Sequence, residues 1–345
     1  MKSLVRYALY GVFLLYLLGA LFDVRGGYRS GDELGFLSGF ADRGVDDSWF
    51  DPRYWFWIKY VSVLKAIGLS VPLINVIIFF TLIFKLVSSG ILNRSVVLAL
   101  PLMPTVFYFA NSYLRDFLFF LCAIYFLLNP EIKFSTIKGK LSIFLCFILV
   151  MMRPIYGIML VASLIVSSNN LRRYYFAFFW AAIFTLFCLV PILLMLNDYV
   201  FESYRNFFIH GHVRDKIKFT VFMIEENNFT NITSPIIFCF SFIKFWFVPV
   251  RGIGNIYDHL ISIENLFFLI IFFYGLTRAV FCSYFSDRRY RMAMAMLIFS
   301  IVAAAGITTD NDIYRFRIFF VIFFFYFSCF VRSPNKRKNS GEISS

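Results

Sequence analysis

The chain alternates between long apolar runs and short polar punctuation. The runs lack the strict apolar–polar alternation of a barrel strand. Each is close to the length a helix needs to cross about 30 Å of hydrocarbon. A backbone surrounded by lipid must satisfy its own hydrogen bonds, so the runs are expected to be helices. Ten spans are predicted, over residues 5–22, 71–90, 95–111, 114–129, 141–153, 155–168, 174–196, 265–284, 292–307 and 317–331. The fifth and sixth are short and could be one helix broken at Arg153-Pro154. Residues 54–69 set Lys59 and Lys65 among Trp and Tyr and read as an interfacial helix. The apolar stretch 235–250, which runs into Lys244, Pro249 and Arg251, reads as re-entrant or interfacial. The expected fold class is all-α: a polytopic membrane protein of about ten transmembrane helices plus interfacial or re-entrant helices.

Composition strengthens the membrane reading. Of 345 residues, 60% are hydrophobic and only 15% charged, with a mean hydropathy of +0.76. A soluble domain is nearer 45–50% apolar and about 25% charged, and its interior has too little room for this much Phe, Ile and Leu. The six cysteines, Cys122, Cys146, Cys188, Cys239, Cys282 and Cys329, are single and sit in or beside apolar runs, as small apolar fillers do. The first run resembles a signal peptide, but no small-residue cleavage pattern follows it, so it reads as a retained first helix.

Charge sets the orientation. Short basic loops occur at Lys2/Arg6, Arg94, Lys133/Lys138/Lys140, Arg172/Arg173, Arg288/Arg289/Arg291 and from Arg332 to Lys338. Ten spans place all of them on the cytoplasmic side, with both termini there. Residues 1–332 then form one multispanning domain with outer loops 23–70 and 197–264, and 333–345 form a short basic cytoplasmic tail. On this topology only Glu131, Asp287 and Glu342 among the 20 acids are cytoplasmic. The other acids lie on or just inside the outer face, as do 16 of the 33 Lys and Arg. Acids barely affect orientation, so their segregation needs another cause. A one-sided mixture of carboxylates and guanidiniums suits a charged, polar ligand at the outer surface; an ordinary solvated loop surface is the alternative.

Five constellations could carry chemistry. The first outer loop holds Arg29 and the adjacent acids Asp32-Glu33; neighbouring carboxylates raise each other's pKa, so one can serve as a base near neutral pH. Asn111-Ser-Tyr-Leu-Arg115-Asp116 sets an Arg–Asp pair beside a Phe-rich run, costly to bury unless paired or functional. The plainer reading there is a helix start, with Asp116 in the first turn and Arg115 snorkelling. Arg153-Pro154 marks a break that either reaches the outer surface or lines a cavity. The loop 197–234 carries Arg205 and His210-Gly-His212, suited to substrate contact or proton transfer; two His without a third ligand make a weak metal signal. Asn228-Phe-Thr230 and Asn231-Ile-Thr233 match a glycosylation pattern that is frequent by chance. Last, Tyr314-Arg315-Phe-Arg317 puts two arginines where the final span meets the hydrocarbon; they suit a diphosphate or interfacial anchoring. Phosphate loops, Walker motifs, zincin helices and nucleotide fingerprints are absent from the sequence, so no cofactor and no metal are expected. The basic tail is a topology and anionic-lipid signal, and nucleic acid is not an expected partner.

Together these features resemble the bacterial envelope polysaccharide polymerases, the O-antigen (Wzy-type) and exopolysaccharide repeat-unit polymerases related to multispanning lipid-linked-sugar glycosyltransferases. The resemblance lies in the acidic first outer loop at Gly31-Asp32-Glu33, in Asn111-Ser-Tyr-Leu-Arg115-Asp116 followed by Phe-Leu-Phe-Phe, in Phe247-Val-Pro249 and in Tyr314-Arg-Phe-Arg317. The central outer loop is shorter than in many O-antigen polymerases. The resemblance implies a nucleotide-independent glycosyltransferase of the bacterial inner membrane. It would move a growing chain from undecaprenyl diphosphate onto a hydroxyl of a new lipid-linked repeat unit at the outer face. Asp32 or Glu33 is then the base, and Arg115, Arg153, Arg315 and Arg317 meet the diphosphate, with Arg29, Asp116, Arg205 and His210 as further substrate contacts. The implied partners are the undecaprenyl-diphosphate-linked oligosaccharide, the bilayer and a chain-length regulator. The alternatives are a transferase using a lipid-monophosphate sugar, a lipid-linked oligosaccharide flippase or other transporter, and a membrane acyltransferase. A transporter usually shows internal repeats and midplane charges; an acyltransferase would carry a His in or near the first span, and none is there.

The orientation is checked by cysteine labelling with an impermeant reagent in intact cells. Reagent is expected to reach a cysteine at position 45 and not one at position 340; the reverse result overturns the topology.

Overall fold

The computed structural model describes residues 2–22, 36, 52–131, 135–171, 174, 246–247, 256–281, 287–305 and 310–329. Among the described residues the chain is all-helical, with eleven α-helices and no β-strand. They are α1 (Lys2–Phe22), α2 (Pro52–Ala66), α3 (Val71–Ser89), α4 (Arg94–Leu102), α5 (Pro104–Ala110), α6 (Asp116–Leu128), α7 (Ile137–Met152), α8 (Pro154–Val166), α9 (Ile256–Phe281), α10 (Arg288–Ala305) and α11 (Asp310–Ser328). Two helical segments, Leu4–Phe22 and Val71–Ser89, are long and apolar enough to cross a membrane. Asp116–Leu128, Tyr156–Val166 and Ile263–Gly275 are shorter apolar helices. The expected seventh span, apart from Tyr174, and the basic tail lie outside the described residues.

Local chemistry sets the helix ends. Ser70 Oγ accepts from Leu73 N–H at the start of α3, and Gly90, at φ 62°, ends it in the left-handed region. Thr136 caps α7 through Gly139 N–H, and Asp287 caps α10 through the N–H groups of Arg289 and Tyr290. Proline opens α5 and α8, where its missing N–H costs nothing.

The centre of the bundle is α11, packed against α6, α9 and α10. From Ile318 to Phe327 every side chain of α11 is buried, and nearly all of α6 is too, so both are apolar on every side. Tyr156 of α8 stacks on Phe319 with ring centroids 4.8 Å apart. Antiparallel α1 and α3 interlock through Tyr10–Phe84, Phe13–Phe80 and Tyr16–Phe79. The outer helices also show large apolar side chains on their free faces: Leu4, Leu14 and Leu21 on α1, Phe144 and Phe147 on α7, Ile263 and Ile270 on α9.

Three expectations change in detail. The stretch 95–111 is two helices, since Pro104 follows the extended Met103 and cannot donate back into α4. The helix expected at 265–284 begins at Ile256, so Glu264 and Asn265 sit inside it. Trp246 and Phe247, the described part of 235–250, are buried against Phe268, Phe272 and Phe324, inside the core.

The break at Arg153 is a sharp reversal. α7 and α8 pack on each other, with Gly157 against the Val150 backbone. A Cβ on Gly157 would lie 2.5 Å from Val150 N and 2.6 Å from its Cα. Gly157→Ala is therefore expected to lower stability by about 1–3 kcal/mol through overpacking, outweighing the roughly 1 kcal/mol of helix propensity that alanine brings. Gly11→Ala in α1, where a Cβ meets nothing within 4 Å, should leave stability unchanged or slightly higher. Thermal unfolding of the detergent-purified variants measures both; equal melting of wild type and Gly157→Ala would refute the close contact.

Candidate functional site

The segment between α5 and α6 is held in place by the helices around it. Asn75 of α3 donates to the carbonyls of Ala110 (3.5 Å) and Ser112 (3.4 Å). Trp57 of α2 donates its indole N–H to the Tyr113 carbonyl at 2.8 Å. Ser112 turns inward, donating to the Phe109 carbonyl and accepting from Leu114 N–H. Arg115 and Asp116 follow at the start of α6, where the carboxylate faces the positive end of the helix.

Asp116 is the centre of the site. Its side chain has no exposed surface, yet two cations from distant parts of the chain reach it. Arg153 Nη2, from the α7–α8 reversal, lies 2.8 Å from Oδ1, and Arg315 Nε of α11 lies 3.3 Å from Oδ2. Arg115 acts electrostatically on the same carboxylate and donates Nη1 to the Met152 carbonyl at 3.3 Å. That carbonyl is one of those left free where α7 ends. Arg153 also packs over the rings of Phe316 (4.8 Å), Tyr156 (5.5 Å) and Phe119 (6.0 Å). Two guanidiniums thus contact one carboxylate, and a third, Arg115, acts on it electrostatically. Arg153 keeps 12% and Arg315 20% of its side chain exposed, so the cations, and not the acid, can be reached from outside.

Arg317 goes elsewhere. It is fully buried, bonded to Asn265 Oδ1, 3.4 Å from Glu264 Oε1, and packed on the Phe268 ring. Glu264 Oε2 accepts from Thr105 N–H at 2.9 Å. In a continuous helix that N–H would bond the Pro101 carbonyl. The proline break separates the pair, and Tyr16 Oη donates to the freed Pro101 carbonyl at 2.6 Å. Glu264 and Tyr16 so repair the two halves of one broken hydrogen bond.

The structure therefore brings Arg115, Asp116, Arg153 and Arg315 together and sets Arg317 in a separate buried pair. Arg29, Asp32, Glu33, Arg205 and His210 lie outside the described residues. Among the described residues no group of three or more His, Cys, Asp or Glu is placed to hold a metal ion. Sequence reasoning passed over Glu264, Asn265 and Tyr16. The signal for the first two was available: an acid and an amide interrupt Ile-Ser-Ile and Leu-Phe-Phe, and an ionisable group in such a run is a candidate by default. Neither the scan against protein-family models nor the searches of curated proteins and of solved structures found a match to this chain.

The Glu264–Arg317 pair can be tested by a double-mutant cycle. Glu264→Gln or Arg317→Met alone leaves the other charge buried without its partner and is expected to cost about 3–5 kcal/mol. Glu264→Gln together with Arg317→Met keeps an acceptor for Thr105 N–H and removes both charges, so it should cost less than either single change. Unfolding in detergent reads all three, and simple additivity would contradict the pairing.

Proposed function

We propose that this chain is a polytopic inner-membrane glycosyltransferase that polymerises lipid-linked repeat units of an O-antigen, capsular polysaccharide or exopolysaccharide. The observation that carries the reading is the convergence of Arg115, Arg153 and Arg315 on Asp116. The membrane assignment is supported by composition, by two helices of membrane-crossing length and by the large apolar side chains on the free faces of α1, α7 and α9. The ten-span topology places all three arginines at the outer surface, where the polar head of a lipid-linked glycan is presented.

Three arginines gathered around one carboxylate suit an anion with several acceptor oxygens, and guanidinium forks match diphosphate geometry. In the proposed reaction the bond between the sugar's anomeric carbon and the diphosphate oxygen breaks. The acceptor hydroxyl oxygen bonds to that carbon, and its proton passes to Asp32 or Glu33. Undecaprenyl diphosphate leaves with its developing charge met by the arginines, which needs neither nucleotide nor metal. Asp116 holds Arg153 and Arg315, and the Met152 carbonyl holds Arg115, before substrate arrives, so little reorganisation is required when it does.

Arg→Lys at 115, 153 and 315 keeps the charge and loses the fork. Each is expected to lower polymerisation about 30- to 1000-fold, the equivalent of about 2–4 kcal/mol of barrier, at equal protein levels. Normal polymer from the lysine variants would sink the diphosphate assignment and leave the arginines as anchors. A deletion strain is expected to carry single repeat units on its acceptor; a strain with no surface repeat unit at all would point to a flippase.

A further inference from the structure

A second polar concavity lies at the opposite end of the bundle from Asp116. It is an open cleft of about 730 Å³ between the end of α6, the start of α7, the residues after α8 and the start of α10. Lys138, Arg288 and Arg289 line it, together with Asn129 and Asn169. We propose that this cleft binds the phosphodiester headgroup of an anionic phospholipid, in the leaflet that the basic loops assign to the cytoplasm. The inference rests on the membrane-spanning reading but not on the polymerase reading.

Two of the three cations are held in place by backbone, which leaves donors for a ligand. Arg289 gives its Nε to the Leu127 carbonyl (3.0 Å), and Arg288 gives one Nη to the Leu164 carbonyl (3.3 Å). Both carbonyls belong to the last turns of helices, where the chain supplies no N–H. The Nε of Arg288 is buried and bonds to no described residue. Of the two acids in the lining, Asp287 is already engaged: its Oδ1 accepts from Arg289 N–H, Tyr290 N–H and Tyr326 Oη. Glu131 is exposed at the edge of the cleft. Glu131 acts electrostatically on Arg288, so three cations against two acids leave the cleft a net positive charge, which favours an anion with several acceptor oxygens such as a phosphodiester.

The apolar side of the cleft distinguishes a lipid from a free anion. Ile137 lines it and is 87% exposed, and Leu141 and Phe144 continue from it along the free face of α7. A headgroup in the cleft would lay its acyl chains along that face, whereas a free phosphate would leave it bare. Basic pockets between helices at the cytoplasmic surface bind anionic headgroups in this way.

The test uses the full chain in nanodiscs and mixed micelles, with bound lipid counted by native mass spectrometry. Phosphatidylglycerol is expected to stay bound preferentially over phosphatidylcholine, and millimolar inorganic phosphate should not displace it. Lys138→Ala, whose side chain makes no hydrogen bond among the described residues, should weaken retention about fivefold, the effect of one basic group near an anionic headgroup. Lys85→Ala, in a separate crevice beside Arg6 at the same end, should leave retention unchanged. No preference between the two lipids, or equal losses from Lys138→Ala and Lys85→Ala, overturns the site. Full displacement by inorganic phosphate overturns the lipid as its source. A chain that stays out of the membrane fraction altogether fails the membrane reading itself, a different result from a membrane-bound chain with no lipid preference.

Discussion

A carboxylate with no exposed surface must be met by cations, and Asp116 meets this condition where three separate parts of the chain end. Its partners come from the α7–α8 reversal and from the first turns of α11, so the ion pairs fix how those elements approach α6. Were Arg153 or Arg315 displaced, the desolvated charge would lose attraction that water cannot replace. The tight turn at Arg153, with Gly157 against Val150, brings the guanidinium to Asp116. The aromatic rings around Arg153 then shield the pair and strengthen it.

Arginine has one recurrent task in this fold. At three helix ends, those of α6, α7 and α8, an arginine side chain from another element donates to carbonyls that the helix leaves without an N–H. Arg115 does so for α7, Arg289 for α6, and Arg288 and Arg291 for the end of α8. At one end of the molecule the guanidiniums also gather round an acid; at the other they border an open cleft. Long donors braced by backbone carbonyls are suited to anion binding, because their positions are set before a ligand arrives.

The helical content was legible from the apolar runs and the break at Pro154 from proline chemistry; 95–111 was read as unbroken, and the structure divides it at Pro104. The start of α9 was not legible. Residues up to 264 were read as outer loop, yet Glu264 lies within the helix, where Arg317 and Thr105 N–H compensate it. A single-sequence reading prices such an acid as exposed, since its partners are 53 and 159 residues away. Arg315 and Arg317 show the same limit. They are two positions apart at the start of one apolar run, but a helix turns about 200° between them. One therefore faces Asp116 and the other Glu264.

By itself the sequence determined that the chain is helical and strongly apolar, 60% hydrophobic and 15% charged. These are properties of composition and period, which local physics fixes without knowledge of neighbours. Only the tertiary structure decided which arginine meets which acid. That choice depends on the rotation of each helix about its axis and on where the proline breaks redirect the chain. The separation of one suspected arginine cluster into the Asp116 group and the buried Glu264–Arg317 pair follows from those rotations, because a buried charge is stable only beside the partner that packing brings to it.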